Sequence, residues 1–105
     1  MAKRIYTFQS KYKPYEVYLK WDRYRSNGRT CLELLQAFTH EPVLVASVNL
    51  DDAPLENGEM IIKDYSENEG VLDFLVSNGI VSKPKRWLST GWVTVPVVDL
   101  LVKPI

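Results

Sequence analysis

The sequence predicts an α+β domain: an antiparallel sheet of about six or seven strands with one helix packed on a face. Three observations carry that expectation. Tyr15, Val17, Leu19 and Trp21 alternate with Glu16, Lys20 and Asp22, the period-two pattern of a half-buried strand. Turn residues recur between apolar runs, at Ser26-Asn27-Gly28, Glu41-Pro42, Glu56-Asn57-Gly58 and Ser89-Thr90-Gly91. Helical spacing occurs in one place, through Val71, Leu72, Leu75 and Val76. With 105 residues, one domain over 1–105 is expected, able to bury roughly two-thirds of the surface its unfolded chain exposes.

Taken in order, Ile5, Tyr6 and Phe8 suggest a first short strand, with Lys11 to Pro14 as its turn. The alternating strand follows, and Asn27-Gly28 predicts a tight type I′ turn because both residues tolerate positive φ. The return strand runs from Arg29 to about Thr39, with Thr30, Leu32, Leu34, Gln36 and Phe38 on one face. Val43 to Leu50 is apolar and β-branched, the composition of a central, well-covered strand. A polar loop precedes a strand at Met60, Ile61 and Ile62. Ser66 stands three residues before Glu69, the capping-box spacing, so the helix is expected to start there, with Gly70 inside it for close backbone packing. Gly79 fits the left-handed position after the helix, letting Ile80 fold back on Leu75. Ser89-Thr90-Gly91 reads as a three-residue hairpin loop. Trp92 to Val102 then forms a long strand, in which Pro96 predicts a bulge or a sheet edge, and such an edge makes a homodimer conceivable.

Several function classes have no support. Cys31 is the only cysteine, which excludes an intramolecular disulfide and fits a reducing cytoplasm. No apolar run approaches the ~20 residues that span a bilayer, and basic Met1-Ala2-Lys3-Arg4 leads into no apolar signal core, so no membrane association is expected. One Cys and one His do not make a zinc site, and no phosphate-cradling glycine motif is present, so no cofactor is expected. Cys31 and His40 could form a nucleophile pair only if the fold joined them; a core thiol and a turn histidine account for both. Asp51, Asp52, Glu56, Glu59 and Asp64 lack the order of a calcium loop. Asp64 to Glu69 reads as chemistry of a helix start rather than of catalysis, and the chain is not expected to be an enzyme.

The charge distribution is the most informative feature. Residues 1–30 carry eight cations against two acids, residues 31–82 ten acids against Lys63 alone, and residues 83–105 four cations against Asp99. The total is zero, which argues against a globally basic nucleic-acid binder. Two polarised readings stay open. Asp51, Asp52, Glu56, Glu67 and Glu69 could form an acidic face that docks on a basic protein surface, or could simply solvate a loop and a helix start. Tyr18, Lys20, Arg23, Tyr24 and Arg25 could bind single-stranded nucleic acid, rings stacking on bases and cations holding phosphates, with Tyr18, Lys20 and Tyr24 on the outward strand face. Strand propensity and edge protection explain the same residues.

The run Lys63-Asp64-Tyr65-Ser66-Glu67-Asn68-Glu69-Gly70, with Leu72, Leu75 and Asn78-Gly79-Ile80-Val81, followed by Arg86, Ser89-Thr90-Gly91-Trp92-Val93-Thr94-Val95-Pro96 and Leu100, resembles a family of short uncharacterised proteins of phages, plasmids and conjugative elements, the DUF4313-like group. Val48-Asn49-Leu50 is similar to the same group. The likeness covers roughly the C-terminal half. It implies no catalytic residues or cofactor. It implies a mobile-element accessory protein, a class that is often host-directed and includes inhibitors of restriction or CRISPR defence. The expected function is therefore binding of a host protein, plausibly as an anti-CRISPR-like inhibitor, with a nucleic-acid-binding module as the alternative.

Overall fold

The computed structural model describes residues 4–103. Its chain order is β1 (Tyr6–Gln9), β2 (Pro14–Arg23), β3 (Thr30–Gln36), β4 (Pro42–Val45), β5 (Glu59–Ile61), a single 3-10 turn (Ser66–Asn68), α1 (Val71–Ser77), β6 (Arg86–Ser89) and β7 (Thr94–Asp99). The class is α+β, but the strands divide into two antiparallel sheets, β1-β2-β3-β4 and β5-β7-β6, instead of one. Met1, Ala2 and Lys3 lie outside the described residues.

The alternation in β2 does what its period requires. Val17, Leu19, Trp21 and Tyr15 face the core, joined by Phe8 from β1, Leu32 and Leu34 from β3, and Leu44 from β4. The turn after β2 is wider than Asn27-Gly28 predicts. Tyr24 N–H bonds the Arg29 carbonyl (2.8 Å), Gly28 N–H bonds the Tyr24 carbonyl (2.8 Å), and Gly28 alone there has positive φ (+71°). Asn27 keeps an ordinary backbone because its side chain is used locally, its Oδ1 accepting from Arg29 N–H. β3 stops at Gln36; Phe38 leaves the strand and is 79% exposed.

Val43 to Leu50 is not one central strand. β4 is an edge of the first sheet, and the chain beyond it crosses to the second. Ala46 N–H bonds the Leu32 carbonyl (2.8 Å), while Lys63 N–H bonds the Ala46 carbonyl (2.8 Å) and Val48 N–H the Ile61 carbonyl (3.1 Å), around a bridge between Ser47 and Ile62. Leu44, Ala46 and Ser47 are buried in this segment, whereas Val45 on the β4 edge is exposed. Pro96 occupies neither a bulge nor an edge. β7 is the middle strand of its sheet, so dimerisation through a Pro96 edge loses its basis. The missing donor is tolerated because β5 ends at Ile61. Ile62 N–H still bonds the Pro96 carbonyl (3.1 Å), then the chain turns to Ser47.

Helix α1 packs Val71, Leu72, Phe74 and Leu75 into the core shared by both sheets, with Phe74 edge-on to Tyr6 and Phe8 at centroid distances of 6.0 and 5.2 Å. Its start differs from the capping-box expectation. Ser66 begins a 3-10 turn and makes no side-chain cap. Asp64 Oδ1 accepts from Gly70 N–H (3.1 Å) and Leu72 N–H (3.0 Å), and so takes the capping role across six and eight residues. Gly70 is not inside the helix. It precedes the first turn at φ +99°, and an added Cβ would meet nothing nearer than the Gln9 carbonyl oxygen at 3.9 Å, so conformation and not crowding requires glycine. The C-terminus forms as expected: Gly79 at φ +70°, with bonds from Gly79 N–H to the Val76 carbonyl (3.1 Å) and from Ile80 N–H to the Leu75 carbonyl (3.0 Å).

These assignments separate two substitutions. Asp64→Ala loses about 1 kcal/mol in urea denaturation, the usual cost of a lost N-terminal cap. Ser66→Ala changes stability by less than about 0.5 kcal/mol. The reverse order would restore the capping box.

Candidate functional site

Loop 49–56 leaves the inter-sheet crossing and is held by residues from the β2–β3 turn. Arg29 donates to the Leu50 carbonyl (2.8 Å) and to the Ala53 carbonyl. Asp51 Oδ1 accepts from Asn27 Nδ2 (2.8 Å), Ser26 Oγ (3.2 Å) and Asn49 Nδ2 (3.2 Å). Asp51 is thereby fixed by neutral donors, with no ion-pair partner among the described residues and with Oδ2 taking none of those bonds. A charge kept in water at a set position is suited to meeting a cation on a partner.

Residues 49–54 form one wall of an open groove of about 610 Å³, and Leu88, Ser89 and Thr90 form the other. Beneath it Leu50, Ala53 and Leu55 pack with Leu88 and Val93 on Ile61, Val95 and Val97, so the loop covers the outer face of the second sheet. Asp51 and Asp52 both line this groove. Glu56 is exposed and lies at the turn into β5, where its N–H bonds Glu59 Oε1 (2.9 Å).

The other two expected acids stand elsewhere. Glu67 lines a second cleft of about 410 Å³, beside Tyr24, the edge of β4 and Asn68. Lys63 bonds it at 2.6 Å, and that ammonium draws the carboxyl down to about 2. Glu69 pairs with Lys11 at 3.7 Å. The five carboxylates therefore do not form one acidic face: Asp51 and Asp52 are brought together, while Glu67 and Glu69 carry their own cations.

The basic-aromatic set is altered more. Tyr18 is 5% exposed and its hydroxyl shares a 2.8 Å bond with His40 Nδ1, so its ring is not offered to a base. Tyr24 is half-buried, bonded through its hydroxyl to Ser47 Oγ (2.8 Å); burial pushes it up to about 12, Ser47 opposing and Cys31 adding to the shift. Lys20 stands opposite Glu33, and Arg23 donates to the Gly28 carbonyl. Lys20, Arg23 and Arg25 are exposed, but Glu16, Asp22 and Glu33 share the outer face of that sheet or its edge. Cys31 and His40 are held apart. His40 reaches Tyr18, which pairs with Leu35, whereas Cys31 lies four strand positions away, roughly 13 Å.

The strongest electrostatic cluster is one that no sequence motif announces. Glu59 on β5 is buried, its side chain 1% exposed, and accepts from Arg86 through both oxygens (2.9 and 3.0 Å) and from Lys85 (2.7 Å). Arg86 also donates to the Pro54 carbonyl, and Lys85 bonds Asp99 (3.1 Å). Arg86 first, then Lys85, hold the Glu59 carboxyl far below the usual range, and Glu59 raises both cations in return. The cluster ties β5 to β6 across β7 and fastens the end of loop 49–56, which is a structural task. Spacing could not reveal it, because 26 residues separate Glu59 from Lys85.

Compared with family models, curated proteins and solved structures, the chain finds no match. No helix among the described residues is long and apolar enough to cross a membrane. The geometry places one carboxylate, Asp51, held by three neutral donors, with Asp52 next to it on the wall of an open groove.

Glu59→Gln leaves Lys85 and Arg86 facing a neutral acceptor and costs on the order of 1.5–3 kcal/mol at about pH 7 by denaturant titration. Because folding lowers the Glu59 value from its ordinary 4.5, its stabilisation is complete above that pH and is lost as pH falls towards the folded value. The gap between wild type and variant therefore narrows steadily from about pH 5 to about pH 2. A gap independent of pH would mean that the charge of Glu59 contributes nothing.

Proposed function

We infer that this chain is a small cytoplasmic accessory protein that acts by binding a host protein, with the acidic loop as its contact. The observation that carries the reading is Asp51, an exposed carboxylate held by three neutral donors and making no ion pair among the described residues. Pre-ordered charge lowers the entropic cost of docking and steers a basic partner. The lone half-buried Cys31 supports a reducing compartment. The finer reading, a mobile-element product that inhibits a defence system, rests on the resemblance of the C-terminal half. The nucleic-acid alternative loses the Tyr18 ring, which is buried, while the Tyr24 ring is half-buried.

A tagged bait, wild type or carrying D51N, D52N, E56Q, E67Q and E69Q, tests this in lysate of the native host. The expected result is a captured protein that binds the variant at least about tenfold more weakly and whose binding falls with added salt. Equal capture by both baits removes the acidic-contact reading. Tight, salt-dependent binding of a single-stranded oligonucleotide, lost on K20A with R23A and R25A, would install the alternative in its place.

A further inference from the structure

Trp92 is 95% exposed, more than any other large apolar side chain described, Phe38 being next at 79%. It does not sit on a loose loop. Thr90 N–H bonds the Val93 carbonyl (2.9 Å), and Thr90 Oγ1 donates to that carbonyl (3.0 Å) while accepting from Val93 N–H (3.1 Å). Gly91 at φ +93° completes the tip, and Ser89 still pairs with Thr94, so the turn is centred on Gly91-Trp92, one residue later than the sequence suggests. Both chain neighbours of this tip lie beside the acidic loop: Thr90 lines the groove with Asp51 and Asp52, and Val93 packs on the same Ile61, Val95 and Val97 cluster as Leu50, Ala53 and Leu55.

We propose that this hairpin tip and the groove beside it are the docking surface for a cationic stretch of a partner protein, Trp92 stacking on an arginine or lysine side chain while Asp51 and Asp52 match its charge. The proposal deepens the function inferred above and rests on it. Two observations choose the occupant. A fully solvated indole on an ordered turn is the kind of anchor that dominates protein interfaces, because it loses little conformational freedom on burial. The charged side chains that line the groove beside it are two carboxylates, Arg29 and Arg86 being committed to the Leu50, Ala53 and Pro54 carbonyls of the same wall, and carboxylates beside an indole favour guanidinium or ammonium groups.

The sheet supplies a control. Side chains alternate along β6, so Trp87, 56% exposed, lies on the face opposite Leu88 and the groove. Binding of a fluorescein-labelled hexa-arginine peptide is followed by anisotropy at low salt, with far-UV circular dichroism to confirm folding. W92A is expected to weaken binding about fivefold or more, D51N with D52N similarly, and W87A less than about twofold. Equal effects of W92A and W87A overturn the proposal. So does tighter binding to phosphatidylserine-containing vesicles than to the peptide. If D51N with D52N weakens the peptide and W92A does not, the hairpin assignment falls and the acidic-loop reading stands. If neither matters, both fall.

Discussion

The fold depends on a short crossing, Ala46 to Val48, that hydrogen-bonds to both sheets. On one side Ala46 N–H meets the Leu32 carbonyl of β3; on the other its carbonyl and Val48 N–H meet residues 63 and 61. Ser47 between them is buried, and its hydroxyl takes Leu32 N–H (3.0 Å) and pairs with the Tyr24 hydroxyl. No buried side-chain polar atom among the described residues is left unpartnered, so the hydrogen bonds of the crossing offset the desolvation of its polar side chains. Because this segment joins the sheets, α1 can close one common core over them, and loop 49–56 must emerge where the second sheet needs covering.

Charge does not follow the chain segments in the way their totals suggest. The basic first part supplies Arg29 to hold the acidic loop and Lys11 to meet Glu69. The basic last part supplies Lys85 and Arg86 to Glu59. Much of the segregation along the sequence is thus spent on pairing in space. What remains at the surface is smaller and more local: Asp51, held by three neutral donors, and Asp52 next to it beside a groove.

Tyr18 shows why a pattern of rings and cations misleads. Period two correctly puts it on the outward face with Lys20, opposite Leu35. Burial there is decided by the turn after β3, where His40 at φ +64° returns to its hydroxyl. A strand pattern specifies a face; it does not specify what a later loop lays over that face. Trp92 shows the converse. An indole in an apolar run reads as a strand residue, yet it becomes the most exposed large apolar side chain among the described residues because the turn forms on it.

The sequence by itself determined the class, the order of the elements, the inward face of β2 and β3, and the Gly79 helix end, because each is set by local periodicity or by one residue's backbone freedom. Tertiary structure alone decided that the strands split into two sheets, that Pro96 sits in a middle strand, and that Glu59 is the ionic tie. Each of those outcomes turns on partners many residues away, whose distance no local spacing encodes. The candidate site divides the same way. Acidic residues in a loop were legible as composition, whereas the bonds that fix Asp51 exist only once loop 49–56 meets the β2–β3 turn, and the exposure of Trp92 follows from where the β6–β7 turn forms.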